Sequence, residues 1–133
     1  MSNSDGLRWI AAGKSDLSAA HNLFEDSYYH LCAFHAQQAV EKSLKGWLRL
    51  LNHIPWGHSC FDLLSQAGGL LSDPVNPPDL FDAARRLDGH YIPSRYPDAF
   101  PTGIPADYYH EAEASQALED ARNLVAFMKK HLP

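Results

Sequence analysis

From Tyr28 to Asn52 the chain runs without a proline, and its apolar side chains return every three or four positions, at Tyr29, Cys32, Ala36, Val40, Leu44, Trp47, Leu48 and Leu51. That period is the mark of one face of an α-helix, here sustained over about seven turns. Asn52, Pro55 and Gly57 then stop it. The polar face of the same helix carries Gln37, Gln38, Glu41, Lys42 and Lys45. Glu41 and Lys45 stand one turn apart, in the order that favours pairing. A helix this long and this one-sided is the centre around which the remaining segments are expected to pack.

Those segments are helical as well. Leu7, Ile10, Leu17 and Phe24, with Ala11 and Ala20, predict a first helix from about Leu7 to Glu25, weakened but not ended by Gly13. A short third helix from His58 is closed by Gly68 and Gly69. Ser72 to Pro78 reads as a loop, and Pro78 is suited to open a fourth helix because its missing N–H costs nothing in a first turn. Leu80, Ala84, Leu87 and Tyr91 form the inner stripe of that helix, which Pro93 ends. After a second proline-rich loop from Ser94 to Ala106, a last helix runs from about Ala106 to His131, with Lys129, Lys130 and His131 where cations suit the helix dipole. No stretch alternates as a strand does. The expected fold is all-α: a five-helix, up-and-down-like bundle with a long central helix, in one domain over residues 1–133.

A chain of 133 residues with 45% hydrophobic side chains can bury one continuous core. No apolar run approaches the roughly 20 residues of a membrane span, and the N-terminus has no secretory pattern. A cytoplasmic location with no membrane contact is expected. Cys32, among Leu31, Ala33 and Phe34, reads as a small buried thiol. The net charge of −5 argues against broad nonspecific binding to nucleic acid, yet it leaves room for a local basic site.

Three stretches together resemble the HEPN family, the higher-eukaryote and prokaryote nucleotide-binding domain. They are Tyr28 through Gly46 (with Phe34-His-Ala-Gln-Gln-Ala-Val-Glu-Lys-Ser-Leu-Lys45), Gly57-His58 before Phe61-Asp-Leu-Leu, and Leu87-Asp88 through Tyr91-Ile-Pro-Ser-Arg-Tyr-Pro-Asp98. Trp9 and Asp16-Leu17 fit the family's first helix. The resemblance spans about Leu7 to Leu132. It implies a helical bundle, commonly a homodimer, often acting with a minimal nucleotidyltransferase protein. Some members are metal-independent endoribonuclease toxins, marked by arginine, four to six intervening residues and histidine; others bind nucleotides or proteins without catalysis.

Metal-free cleavage of RNA needs a base, an acid and cations at the developing phosphorane. Arg85 and His90 have the family's catalytic spacing and are the candidate catalytic pair. Six arginines and eight histidines produce about one such spacing by chance, so spacing alone is weak. On a regular helix the two side chains lie roughly 140° apart, whereas Arg86 and His90 share a face. Candidate nucleotide- or phosphate-binding residues are Arg86, Tyr91, Arg95, Tyr96 and Asp98, facing Glu41, Lys42 and Lys45 on the central helix. Two bland readings stand beside these: Arg95 and Asp98 pair with each other or with Glu41 and Lys45 to pin the loop, and the Gln37 to Lys45 face is simply solvated. His58 reads as a capping or hydrogen-bonding residue. No converging ligand set is legible, so no metal and no cofactor are expected. Three functions follow from the resemblance: a nucleotide- or RNA-phosphate-binding partner of a minimal nucleotidyltransferase, an endoribonuclease toxin, or a non-catalytic dimerisation module.

Overall fold

The computed structural model describes residues 3–70 and 78–133. Six α-helices follow in order: α1 Asn3–Glu25, α2 Tyr29–Leu50, α3 Cys60–Gly68, α4 Pro78–Asp88, α5 Pro105–Tyr108 and α6 Glu111–Lys130, with a 3₁₀ turn at Pro97–Ala99 before α5. No strand occurs among the described residues, so the fold is an all-α bundle with α2 at its centre. The loop expected from Ser72 lies, up to residue 77, outside the described residues.

The apolar stripe of α2 is the core. Cys32, Ala36, Val40, Leu44, Trp47 and Leu48 are all buried, and each Leu-sized side chain so covered contributes about 1.5–3 kcal/mol. α6 lies along this stripe in the same direction as α2. The Cys32 thiol faces the Ala114 carbonyl at one end, and the Trp47 indole N–H donates to the His131 carbonyl at the other. α1 runs antiparallel on the adjoining side, through a seam with no room for a Cβ at its glycines. A Cβ on Gly46 would stand 2.5 Å from the Gly6 carbonyl oxygen, and one on Gly13 would stand 2.3 Å from Ser43 Oγ. Gly13 therefore permits a close helix approach, which outweighs its low helix propensity. α2 ends where Asn52 turns left-handed, at φ 59°, and the His53 N–H closes back on the Leu48 carbonyl at 2.9 Å.

Several boundaries differ from the sequence reading: α1 opens at Asn3 instead of about Leu7, and α3 at Cys60 instead of His58. α4 stops at Asp88, and Tyr91 lies in the turn beyond it instead of on the helix's inner stripe. The Asp88 carboxylate is drawn away to cap α3, accepting from Cys60 N, Phe61 N and Ser59 Oγ at 2.6, 3.1 and 2.7 Å. The last helix begins at Glu111, not Ala106. Tyr109 and His110 are extended, which buries the Tyr109 ring and separates the four-residue α5 from α6.

Candidate functional site

The polar face of α2 is not a solvated surface. Gln37 and Glu41 are among its most deeply buried residues, at 0% and 4% exposure. Burying a carboxylate requires partners, and Glu41 has three. Lys45 Nζ donates to its Oε2 at 3.0 Å, Gln37 Nε2 to its Oε1 at 3.1 Å, and His58 Nδ1 lies 3.1 Å from Oε2. Gln38 Nε2 completes the set by donating to Gln37 Oε1 at 2.7 Å.

His58 is the member of this network most open to water, its side chain being 64% exposed. It is held from several directions. Glu41 takes its Nδ1–H, Gln37 Nε2 donates to its backbone carbonyl at 3.3 Å, and Tyr91 stacks on its ring at 5.6 Å and 14°. The next residue, Ser59, caps α3 and is tied to Asp88. With a carboxylate on Nδ1, the neutral tautomer presents its lone pair at Nε2, which has no partner among the described residues.

Tyr91 links His58 to Arg95. The Arg95 guanidinium lies 4.6 Å from the Phe34 ring centroid, 4.8 Å from that of Tyr91 and 4.7 Å from that of Tyr96. Its Nε donates to the Tyr91 carbonyl at 3.0 Å, and no carboxylate pairs with it among the described residues. The expected pinning pairs of Arg95 with Asp98 or Glu41 are thus not formed. Asp98 is exposed at the end of this turn. A cation surrounded by rings and lacking a counter-ion is poised for an anion, while the rings offer surfaces on which a base can stack.

The remaining predicted residues sit elsewhere. Arg85 packs over the Phe61 ring at 4.3 Å and pairs loosely with Asp82. Arg86 makes a bidentate pair with the buried Asp120, both bonds 2.9 Å, and this pairing strengthens its hold on its proton. His90 meets the Tyr109 hydroxyl at 2.7 Å. Burial holds the His90 imidazole below its ordinary pKa of 6.5 and pushes the Tyr109 phenol up to about 12. Arg86 and His90 line one depression of about 400 Å³ with Ala112, Glu113 and Gln116; Arg85 is not among its walls. Lys42 turns away from Glu41 toward α1, where it and His35 hold Asp16 at 2.7 and 2.9 Å.

Thus Glu41, Lys45, Tyr91, Arg95 and Tyr96 gather around one cluster, Arg86 and His90 around another, and Lys42 around a third. His58 and Phe34 belong to the first cluster although the sequence pointed to neither as a ligand contact. The only signal for His58 was its place after Gly57, since its partners lie on two other segments, α2 and the turn after α4. No three His, Cys, Asp or Glu side chains converge as a metal site among the described residues, and no helix there is long and apolar enough to cross a membrane.

Comparison with known proteins places this geometry in a family. The chain resembles TT1696 of Thermus thermophilus in structure (TM-score 0.87), with 38% identity over 94% of this chain and 96% of that one. It also resembles ST0689, described as an archaeal HEPN homologue (TM-score 0.77, 33% identity, 96% and 98% coverage). A HEPN domain protein of Thermotoga maritima, tm0613, aligns with TM-score 0.73 and 29% identity over 94% and 97%. In sequence, the Methanocaldococcus jannaschii protein named "Putative toxin MJ1304" is 24% identical over 137 residues, covering 93% of this chain and 86% of that one. The HEPN domain model matches residues 7–132, and the chain belongs to the HEPN domain family.

Proposed function

We propose that this protein binds a nucleotide or an RNA phosphate at the cluster formed by His58, Tyr91 and Arg95 over the Glu41–Lys45 face of α2. The observation that carries the reading is the Arg95 guanidinium, set among the Phe34, Tyr91 and Tyr96 rings without a carboxylate. The phosphate pairs with Arg95, the fork geometry of guanidinium suiting two phosphate oxygens. A base stacks on the exposed Tyr96, and His58 Nε2 offers a further polar contact. Titrating mononucleotides and short RNA against the purified protein tests this. Binding that Arg95→Ala weakens at least tenfold is expected; no binding, or binding indifferent to that change, sinks it. In keeping with its family, the protein acts as a homodimer with a separately encoded minimal nucleotidyltransferase. Size measurement with and without the product of the neighbouring gene tests the assembly.

A second reading, an endoribonuclease toxin, is favoured by the name of the Methanocaldococcus relative. The Arg86–His90 depression supports it, because a histidine kept neutral by burial suits a general base. Arg85 is the weaker partner for His90, being engaged with Phe61 and Asp82. Induced expression should then arrest growth, with His90→Ala relieving the arrest. Unimpaired growth on induction of the wild type would count against a toxin. Relief by His58→Ala alone would move the chemistry to the first cluster.

A further inference from the structure

We infer that the Arg95 cluster is one end of a track for several nucleotides of single-stranded nucleic acid, running along α2 to a second stacking site at Trp9. The inference rests on the reading of the Arg95 cluster as a nucleotide site and adds the length and class of its ligand.

Phe34, Gln38, Lys45 and Arg49 fall within about 60° of one another around α2, so they make one stripe. Phe34 to Arg49 spans about 22 Å along the axis. Phe34 carries the Arg95 guanidinium at one end. At the other, the Arg49 guanidinium lies 4.5 Å from the Trp9 ring centroid and Lys45 Nζ lies 5.6 Å from it. Arg49 also donates to the Lys45 carbonyl at 3.2 Å, and like Arg95 it has no carboxylate partner among the described residues. The two ends therefore repeat one chemistry: an arginine without a counter-ion laid over an aromatic ring.

Beside Trp9 is an open depression of about 400 Å³, walled by Asp5, Arg8, Ala12 and Lys42 as well as by the indole itself. Its acidic members are already engaged. Asp5 faces Arg8 at 3.7 Å, and the neighbouring Asp16 is held by Lys42 and His35. Along the whole track Arg8, Lys42, Lys45, Arg49 and Arg95 outnumber Asp5, Asp16, Glu41 and Asp98, in a chain whose net charge is −5. A local cationic stripe with aromatic rings at both ends, on an acidic protein, fits a strand whose backbone lies along the stripe and whose bases stack at the ends. At about 3.4 Å per stacked phosphate, roughly six or seven nucleotides cover the distance, and fewer if the strand is extended.

The test is a length series of oligouridylates, from the mononucleotide to a nonamer, with full-length protein and measured dissociation constants. Affinity is expected to climb at least tenfold between one and six nucleotides and then level off. Arg49→Ala should abolish most of that climb. Trp9→Ala should cost about 5- to 150-fold on the hexamer, the range for loss of one stacked base, and Trp9→Phe should restore much of it. Circular dichroism of each variant, with Trp9→Phe as the conservative one, separates lost binding from lost folding. The salt slope of the hexamer should fall by about 0.7 with Arg49→Ala, one phosphate contact fewer on a single strand.

A hexamer bound no tighter than the mononucleotide, or a climb indifferent to Arg49→Ala and Trp9→Ala, overturns the track while leaving the Arg95 site standing. Hexamer binding that depends on Trp9 but not on Arg95 instead overturns the Arg95 reading. Binding of polyglutamate in place of oligouridylate overturns the track in favour of an acidic protein partner.

Discussion

Replacing Gly46 by alanine should destabilise the protein, although alanine is the better helix former. The propensity gain in mid-helix is about 1 kcal/mol. Against it stands the α1 seam: the new Cβ would lie 2.5 Å from the Gly6 carbonyl oxygen, 2.7 Å from Ile10 Cγ1 and 2.9 Å from Ile10 N. Ordinary contact begins near 3.4 Å, so α1 must retreat by about 0.9 Å at this point. Two of the three atoms are backbone and cannot rotate aside. Overpacking of this kind costs about 1–3 kcal/mol, and the backbone clash puts Gly46 at or beyond the top of that range. The net loss should be about 2 kcal/mol, a fall in Tm of about 8 °C in a chain of this size. Gly68 serves as the control, since a Cβ there meets nothing within 4 Å. Gly68→Ala should be neutral or slightly stabilising. Urea unfolding followed by circular dichroism, with both midpoint and slope measured, reads the two variants side by side. If Gly46→Ala proved as stable as the wild type or more so, propensity alone would govern α2 and the reasoning from the seam would be wrong. The same retreat would draw Trp9 away from Arg49, so hexamer binding should fall with stability in this variant.

Glu41→Gln should cost about 3 kcal/mol, because it strips the anion from a Lys45 ammonium whose side chain is 12% exposed, and adding Lys45→Met should recover most of the loss in urea unfolding. If the double variant were no more stable than the single, the pair would not be coupled. Burial lowers the pKa of both His90 and His30, so below the ordinary value of 6.5 the unfolded chain takes up protons that the folded one refuses. Stability should therefore be fully present above about pH 7 and decline as pH falls toward 5, and His90→Gln should flatten that decline in a series of unfolding curves. Burial pushes the Cys32 thiol up to about 11 and raises Cys60 further above the ordinary range, so neither should react with a thiol reagent at pH 8 until the protein is denatured.

Much of this architecture could be read from the chain because it is written locally. The period of Tyr29 through Leu51 needs no partner to declare a helix, and Asn52 with its left-handed turn ends it where the sequence says it should. The family strings could be read for the same reason: they are contiguous, and they run through Glu41, Lys45, Tyr91 and Arg95. What the sequence left open was which of those polar groups are enclosed. Gln37 and Glu41 look like members of a solvated face until α3 and the α2–α3 connection close over them. His58 finds its carboxylate 17 residues back, Asp88 caps a helix 28 residues back, and Arg86 meets Asp120 34 residues on. Periodicity along one segment carries no information about such meetings, because they depend on how helices cross. Gly13 and Gly46 show the same division. Read along the chain, a glycine in a helix is only a weakness; set against α1, it allows two backbones to touch and brings Trp9 over Arg49. Local pattern determined the helices of this protein, and the contacts between them decided which of its charges are buried, which are held and which are left without a counter-ion.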